Sequence, residues 1–250
     1  MKLATFNIRR DFCGDGSNDF RFRKPLILEK LRAEAPDAVC FQEVLPHVAA
    51  WLKEALEGYN VIGCGRTEAL DDEQMTIAYR RDRLNLIAME TFWLSPAPCV
   101  PGSRYPGQSD WPRTGTEALF QDLETALVFR LTNVHLDHEG PQARELGLRQ
   151  VLDKPHSLFP DAPAIIVGDM NAEPDDPEMA PLKDAPYQNL TAGIGVTYHG
   201  FGQAERPCSI DYILARGFRC DRIEKWTDRR DGIYLSDHYP VCAVLAEREG

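Results

Sequence analysis

The octapeptide AIIVGDMN at 164–171 carries four apolar residues through a glycine into Asp169 and Asn171. A short, β-branched apolar run of this kind reads as a buried strand. Its polar end reads either as a plain Asx turn or as a site. The same arrangement recurs along the chain. Residues 3–6 run into Asn7, residues 38–41 into Gln42 and Glu43, and residues 131–134 into His135. Two more apolar runs reverse the order: Asp211 precedes 212–214, while Asp237 and His238 precede 240–245. If the first set runs up a sheet and the second runs down, every one of these polar groups arrives at one edge. A turn here and there needs no such coincidence, whereas a site does.

Working outward, residues 2–8 form a strand, 11–19 a polar loop and 22–35 a helix in which Leu26, Ile27, Lys30 and Leu31 keep a 3.6-residue rhythm that exposes Glu29 and Arg32. Pro36 stops that helix. A strand over 38–42 leads to a helix opened by Pro46, with Val48, Trp51, Leu52, Ala55 and Leu56 on one face. Strands follow near 59–64, 75–80, 84–94, 117–122, 126–136, 163–168, 209–215, 218–227 and 239–246, with a helix at 141–153. The segment 95–116 holds five prolines and three glycines, too many for a regular element, and its length suits a lid or binding loop. Two strand–helix–strand halves rich in antiparallel-type strands predict an α/β (α+β) fold: a four-layer, two-sheet sandwich of mixed, mostly antiparallel sheets with helices outside. No repeat or linker divides it, so residues 1–250 read as one domain.

Composition narrows the function. A chain of 250 residues with 43% hydrophobic content can bury a full core. A net charge of −11 opposes a broad electrostatic grip on duplex nucleic acid. Seven scattered cysteines without a CxxC pair suggest neither a disulfide framework nor a structural zinc, and fit a reducing cytoplasm. Met1 leads almost at once into a strand, which leaves no room for a signal peptide, and no apolar run spans a membrane. A soluble protein with no membrane association and no obligate protein partner is expected.

The individual motifs carry chemistry by residue type. Glu43 is either a helix-capping acid or a hard oxygen ligand suited to Mg²⁺. In SDHYPV at 236–241 an acid stands beside an imidazole, whose tautomer a carboxylate must fix; Asp211, placed in an apolar strand where an unpaired charge is costly, is the candidate partner. NVHLDH at 133–138 offers His135, Asp137 and His138. That string approaches the HxHxDH of dinuclear zinc hydrolases, but Asn133 fills its first position and too few histidines follow.

Taken in order, Asn7, Glu43, His135, Asp169 with Asn171, Asp211, and Asp237 with His238 resemble the endonuclease/exonuclease/phosphatase superfamily over nearly the whole chain. RRDRLNL at 80–86, FWLSPAP at 92–98, PRTGTEALF at 112–120 and TYHGF at 197–201 look like a generic bacterial branch of it. The resemblance implies a deoxyribonuclease-like fold and a metal-dependent hydrolase of phosphoester bonds using Mg²⁺, with Mn²⁺ as an alternative. It makes Glu43 the principal metal ligand, with Asn7 in support and Asp237 near a second position. Asp169 would orient the attacking water, Asn171 a phosphate oxygen, and His238, fixed by Asp211, the phosphate or the proton. His135 would serve the leaving oxygen, oriented by Glu73, and Arg113 would reach the phosphate. Arg9 and Arg23, in a basic loop, and Trp111 are candidate substrate contacts. Where some relatives place a second metal-supporting acid, this chain has Arg9, and the PxWxDR string of inositol 5-phosphatases is missing. The substrate is expected to be a small or nucleotide-like phosphoester, with single-stranded nucleic acid as the alternative; a non-catalytic binding module is the remote third.

Overall fold

The computed structural model describes residues 1–248. In chain order, β1 (Lys2–Asn7), α1 (Phe20–Glu34), β2 (Ala38–Val44), α2 (Pro46–Ala55), β3 (Tyr59–Ile62) and β4 (Gln74–Arg80) form the first half. β5 (Leu84–Trp93), β6 (Thr114–Asp122), β7 (Val128–His135), α3 (Pro141–Leu152), β8 (Ala164–Asp169), α4 (Pro181–Asp184), β9 (Gln188–Asn189) and β10 (Asp211–Arg216) follow. β11 (Phe218–Lys225), a small ribbon of β12 (Arg229–Arg230) and β13 (Ile233–Tyr234), and β14 (Val241–Glu247) complete the chain.

Two six-stranded sheets result, ordered β11-β14-β1-β2-β4-β3 and β5-β6-β7-β8-β10-β9. Each contains one parallel pair, β1–β2 and β7–β8, inside otherwise antiparallel neighbours. Both parallel pairs are joined through a helix, as a parallel connection requires. Alternation along the strands then sorts side chains into layers. Leu3, Cys40 and Ile77 of the first sheet meet Phe120, Leu131, Ile165 and Ile213 of the second in the central core. The opposite face of the first sheet, with Phe6, Val39 and Phe41, packs under Ile27 and Leu31 of α1 and Leu52 of α2. Ile166 and Leu214 on the outer face of the second pack against Leu148 and Val151 of α3. Helix, sheet, sheet, helix is the four-layer sandwich the sequence predicts.

The largest difference from the sequence reading lies in the loop after β5. Strand β6 begins at Thr114 rather than 117, so Gly115 belongs to the sheet. A Cβ there would stand 2.5 Å from the Phe92 ring, so this glycine marks close packing inside a strand, and not the loop it resembles.

Candidate active site

Four of the polar residues singled out by the sequence, Asn7, His135, Asp169 and Asp211, occupy inward-facing end positions of their strands. Asn7 is in phase with Leu3, His135 with Leu131, Asp169 with Ile165 and Val167, and Asp211 with Ile213, all core residues between the sheets. The site is therefore the top layer of the core, with polar side chains in place of apolar ones. Cross-strand pairing aligns three of them, since His135 lies opposite Asp169 and Asp169 opposite Asp211. One layer below, Gln42 Nε2 donates to Asn133 Oδ1 at 2.7 Å, and Asn133 Nδ2 donates to the carbonyls of Phe41 (2.8 Å) and Thr76 (3.0 Å). Asn133 thus stitches the two sheets together, a structural task far from metal ligation. Gly168, at φ 144°, is obligatory: a Cβ would come 1.8 Å from the Val134 carbonyl oxygen.

Strict alternation would turn Glu43 toward the helices, opposite to Gln42. A one-residue bulge between Phe41 and Val44, with Glu43 at φ 62°, turns it toward the site instead. Arg9 (φ 62°) and Asn171 (φ 49°) also occupy the left-handed region. Left-handed non-glycine residues at the ends of site strands are local strain held by the surrounding fold.

Asn7 Nδ2 donates to both Glu43 Oε1 (2.9 Å) and Asp169 Oδ2 (3.0 Å), joining the two acids across the sandwich. The Arg10 backbone N–H donates to Glu43 Oε2 at 2.7 Å. Burial pushes the Glu43 carboxyl up, but these two hydrogen bonds and the charge of His238 bring it below its ordinary value. Asp169 accepts the Asn171 N–H at 2.9 Å and stands 3.5 Å from His135 Nε2 and 3.7 Å from His238 Nε2. Burial lifts its carboxyl to about 7, with His238 pulling down and Asp211 pushing up. His238 Nδ1 bonds Asp211 Oδ2 at 2.8 Å. Burial disfavours the imidazolium, yet Asp211, followed by Asp169 and Asp237, holds its pKa at about 10. His135 is the opposite case: burial, then Arg113 and Arg66, drives its pKa well down and leaves it neutral. A charged and a neutral imidazole thus flank one carboxylate.

Arg9, Arg10, Arg66, Trp111, Arg113 and Tyr198 wall a cleft of about 760 Å³ above this layer. Arg113 is held by Asp137 (3.4 Å) and reaches His138 Nδ1 at 2.7 Å. Asp137 also accepts the N–H of Ser109 and Gly140 and the Ser109 hydroxyl. These bonds fasten Ser109 and Arg113, in the loop before β6, to the edge of the cleft that Trp111 and Arg113 line. Tyr198 of the TYHGF string faces the His238 ring at 5.0 Å.

Two expected roles do not survive. Arg23 is not a substrate contact: it is fully buried and donates to the carbonyls of Asn18, Ile8, Leu235 and Arg9, so it fastens the loop after β1. Glu73 does not orient His135; it pairs with Arg66 at 2.8 Å and Arg10 at 3.3 Å. Arg66 was illegible in the sequence, being one arginine in an irregular stretch. Only its burial beside Glu73 and Trp111 marks it.

The donor set fits a hard divalent cation. Glu43, Asp169 and Asp237 crowd one cleft, and burial, together with the charge of Glu43, raises the carboxyl of Asp237. Crowded buried carboxylates are relieved by such an ion, which takes oxygen ligands. Ligand atoms of Asp169, Asp211 and His238 also lie within 4.8 Å of one another. That trio suits a cation less well, because the Asp211 bond and the raised pKa keep His238 protonated.

Acids, imidazoles and amides converge on the rim of a two-sheet sandwich, a donor set suited to phosphoester chemistry. The chain belongs to the Endonuclease/Exonuclease/phosphatase family, whose model matches residues 4–238. It is similar to an endonuclease/exonuclease/phosphatase from Bacteroides vulgatus, with 27% identity, a TM-score of 0.93, and 99% of this chain and 98% of that one covered. It is similar also to the mannosyl-6-phosphatase of Bacteroides thetaiotaomicron, at 26% identity and TM-score 0.87, covering 98% and 99%. The fold extends to D. rerio TDP2 complexed with a single-strand DNA product, at 20% identity and TM-score 0.78, covering 98% of each chain.

Proposed function

We propose that this chain is a Mg²⁺-dependent hydrolase of small phosphoesters. The observation that carries the reading is the pair of acids, Glu43 and Asp169, joined through Asn7 and flanked by a protonated His238 and a neutral His135. Glu43, supported by Asn7 and with Asp237 near an alternative position, would hold the cation. When bound, that ion neutralises charge on the phosphoryl oxygens and lowers the pKa of water.

The protein's own groups do the rest. Asp169, with a carboxyl near neutrality, accepts a proton from water as its oxygen bonds to phosphorus. His238, fixed by Asp211, donates to a non-bridging oxygen, as does the Asn171 amide. Arg113, its charge balanced by Asp137, presents guanidinium N–H donors from the cleft wall. The bond from phosphorus to the alcohol oxygen breaks, and the alcohol leaves with a proton while phosphate remains. His135, neutral and beside Asp169, stands where that proton can pass. The likeness to a mannosyl-6-phosphatase over nearly the whole chain supports a small ester over nucleic acid. Seven free thiols support the reducing cytoplasm, and no helix among the described residues is long and apolar enough to cross a membrane.

The test is phosphate release from a panel of phosphoesters with Mg²⁺, with EDTA, and with the Glu43→Gln variant. Turnover that EDTA and the variant both abolish is expected. Undiminished turnover in EDTA would remove the cation from the account.

A further inference from the structure

Phosphate chemistry explains the floor of the cleft but not its rim. The lysine and arginine side chains on the cleft lining are four guanidiniums, those of Arg9, Arg10, Arg66 and Arg113. Each already has an acid. Arg9 pairs with Asp15 at 3.2 Å and Asp237 at 3.6 Å. Arg10 and Arg66 share Asp72 (3.4 Å each) and Glu73. Arg113 is held by Asp137. A substrate with several phosphates draws its affinity from cations it can neutralise, so a rim of matched pairs offers it little. The net charge of −11 acts in the same direction.

The rim offers apolar surface instead. Trp111 is 45% exposed and Phe12 49%, and both line the cleft. Trp111 is not loose: the Arg66 guanidinium lies 5.2 Å from its ring centroid and that of Arg10 5.6 Å, and Gln108 Nε2 bonds its carbonyl at 2.8 Å. Cation–π contact holds the ring at the cleft wall while the residue stays well exposed. A rigid, half-open indole is a platform for a flat apolar face, as on a sugar ring.

We infer that the substrate carries a single phosphate on an uncharged, ring-bearing alcohol, and that Trp111 is the residue that selects this alcohol, with Phe12 as a second apolar contact. The inference rests on the hydrolase reading above and deepens it. It separates sugar-type monophosphates from bisphosphates, polyphosphates and oligonucleotides.

The experiment measures kcat and KM of the full chain with Mg²⁺ on a hexose monophosphate, the matching bisphosphate, methyl phosphate and a single-stranded oligonucleotide. The monophosphate is expected to lead the bisphosphate and the oligonucleotide by at least about tenfold in kcat/KM. Trp111→Ala should raise KM for the hexose ester about tenfold with little change in kcat, and Trp111→Phe should restore most of it. Equal or better turnover of the bisphosphate or oligonucleotide overturns the inference. So does a Trp111→Ala variant whose KM rises equally for methyl phosphate. Calorimetric binding of the same ligands to the Asp169→Asn variant gives the ranking without turnover. A chain that binds the hexose monophosphate best but releases no phosphate would therefore overturn the hydrolase reading and keep this one.

Discussion

Replacing Asp211 by Asn removes a charge 2.8 Å from His238 Nδ1 while keeping the shape of the side chain. The magnitude follows from the titration of His238, whose pKa is about 10 in place of 6.5. At 1.36 kcal/mol per unit, retaining that proton couples to folding by about 4 kcal/mol at pH 7. Asp169 and Asp237 supply part of the attraction, so removing Asp211, the first-ranked partner, should cost less than the whole, on the order of 3 kcal/mol. That agrees with the ~3–5 kcal/mol seen when one partner of a buried pair is removed. For a chain of this length it lowers Tm by about 6–12 °C. The pH dependence discriminates further. A raised pKa contributes stability that is fully present below about 6.5 and lost as pH rises through about 10. The difference between wild type and Asp211→Asn in urea denaturation should therefore be largest near pH 6 and nearly vanish by pH 10. A difference that stays constant with pH would show that packing, and not charge, makes the Asp211–His238 contact stabilising.

Other perturbations have similarly definite outcomes. Asn133→Ala removes three buried hydrogen bonds between the sheets and strands their partners, which should cost about 3 kcal/mol in urea denaturation; a loss below about 1 kcal/mol contradicts the stitching role. Gly168→Ala forces a Cβ against the Val134 carbonyl and should destabilise the fold by more than about 3 kcal/mol while displacing Asp169; a soluble variant of wild-type Tm would refute the clash. His199 is buried, its Nδ1 accepts the Gly202 N–H, and burial followed by the charge of His238 lowers its pKa to about 4. The unfolded chain binds that proton first, so this stability is present above about pH 6.5 and falls as pH drops toward 4. His199→Phe should flatten the acid side of the stability curve, and unchanged slopes would rule His199 out as its cause.

Much of this architecture is legible because strands alternate. An apolar run ending in Asn7, His135 or Asp169 announces both a strand and what it delivers to the sheet edge, and parallel pairing through helices brings the ends together. What alternation does not encode is where it breaks. Glu43 reaches the site only through a bulge and a left-handed residue, neither visible in AVCFQEV. Arginine roles are equally hidden, because a guanidinium serves a ligand, a carbonyl cluster or an acid with the same atoms. Arg23 stands among basic residues in sequence and is the buried one in space, whereas Arg66 has no motif and flanks the cleft. The family resemblance pairs Glu73 with His135, but two arginines hold its carboxylate instead.

In the proposed hydrolysis, Asp169 handles the proton of the attacking water beside the cation. The most direct measurement is kcat for phosphate release from a hexose monophosphate with Mg²⁺, wild type against Asp169→Asn, with Tm recorded for both. Loss of this general base should lower kcat about 10³-fold at a Tm within a few degrees of wild type. A folded Asp169→Asn protein that retains wild-type kcat would contradict that role.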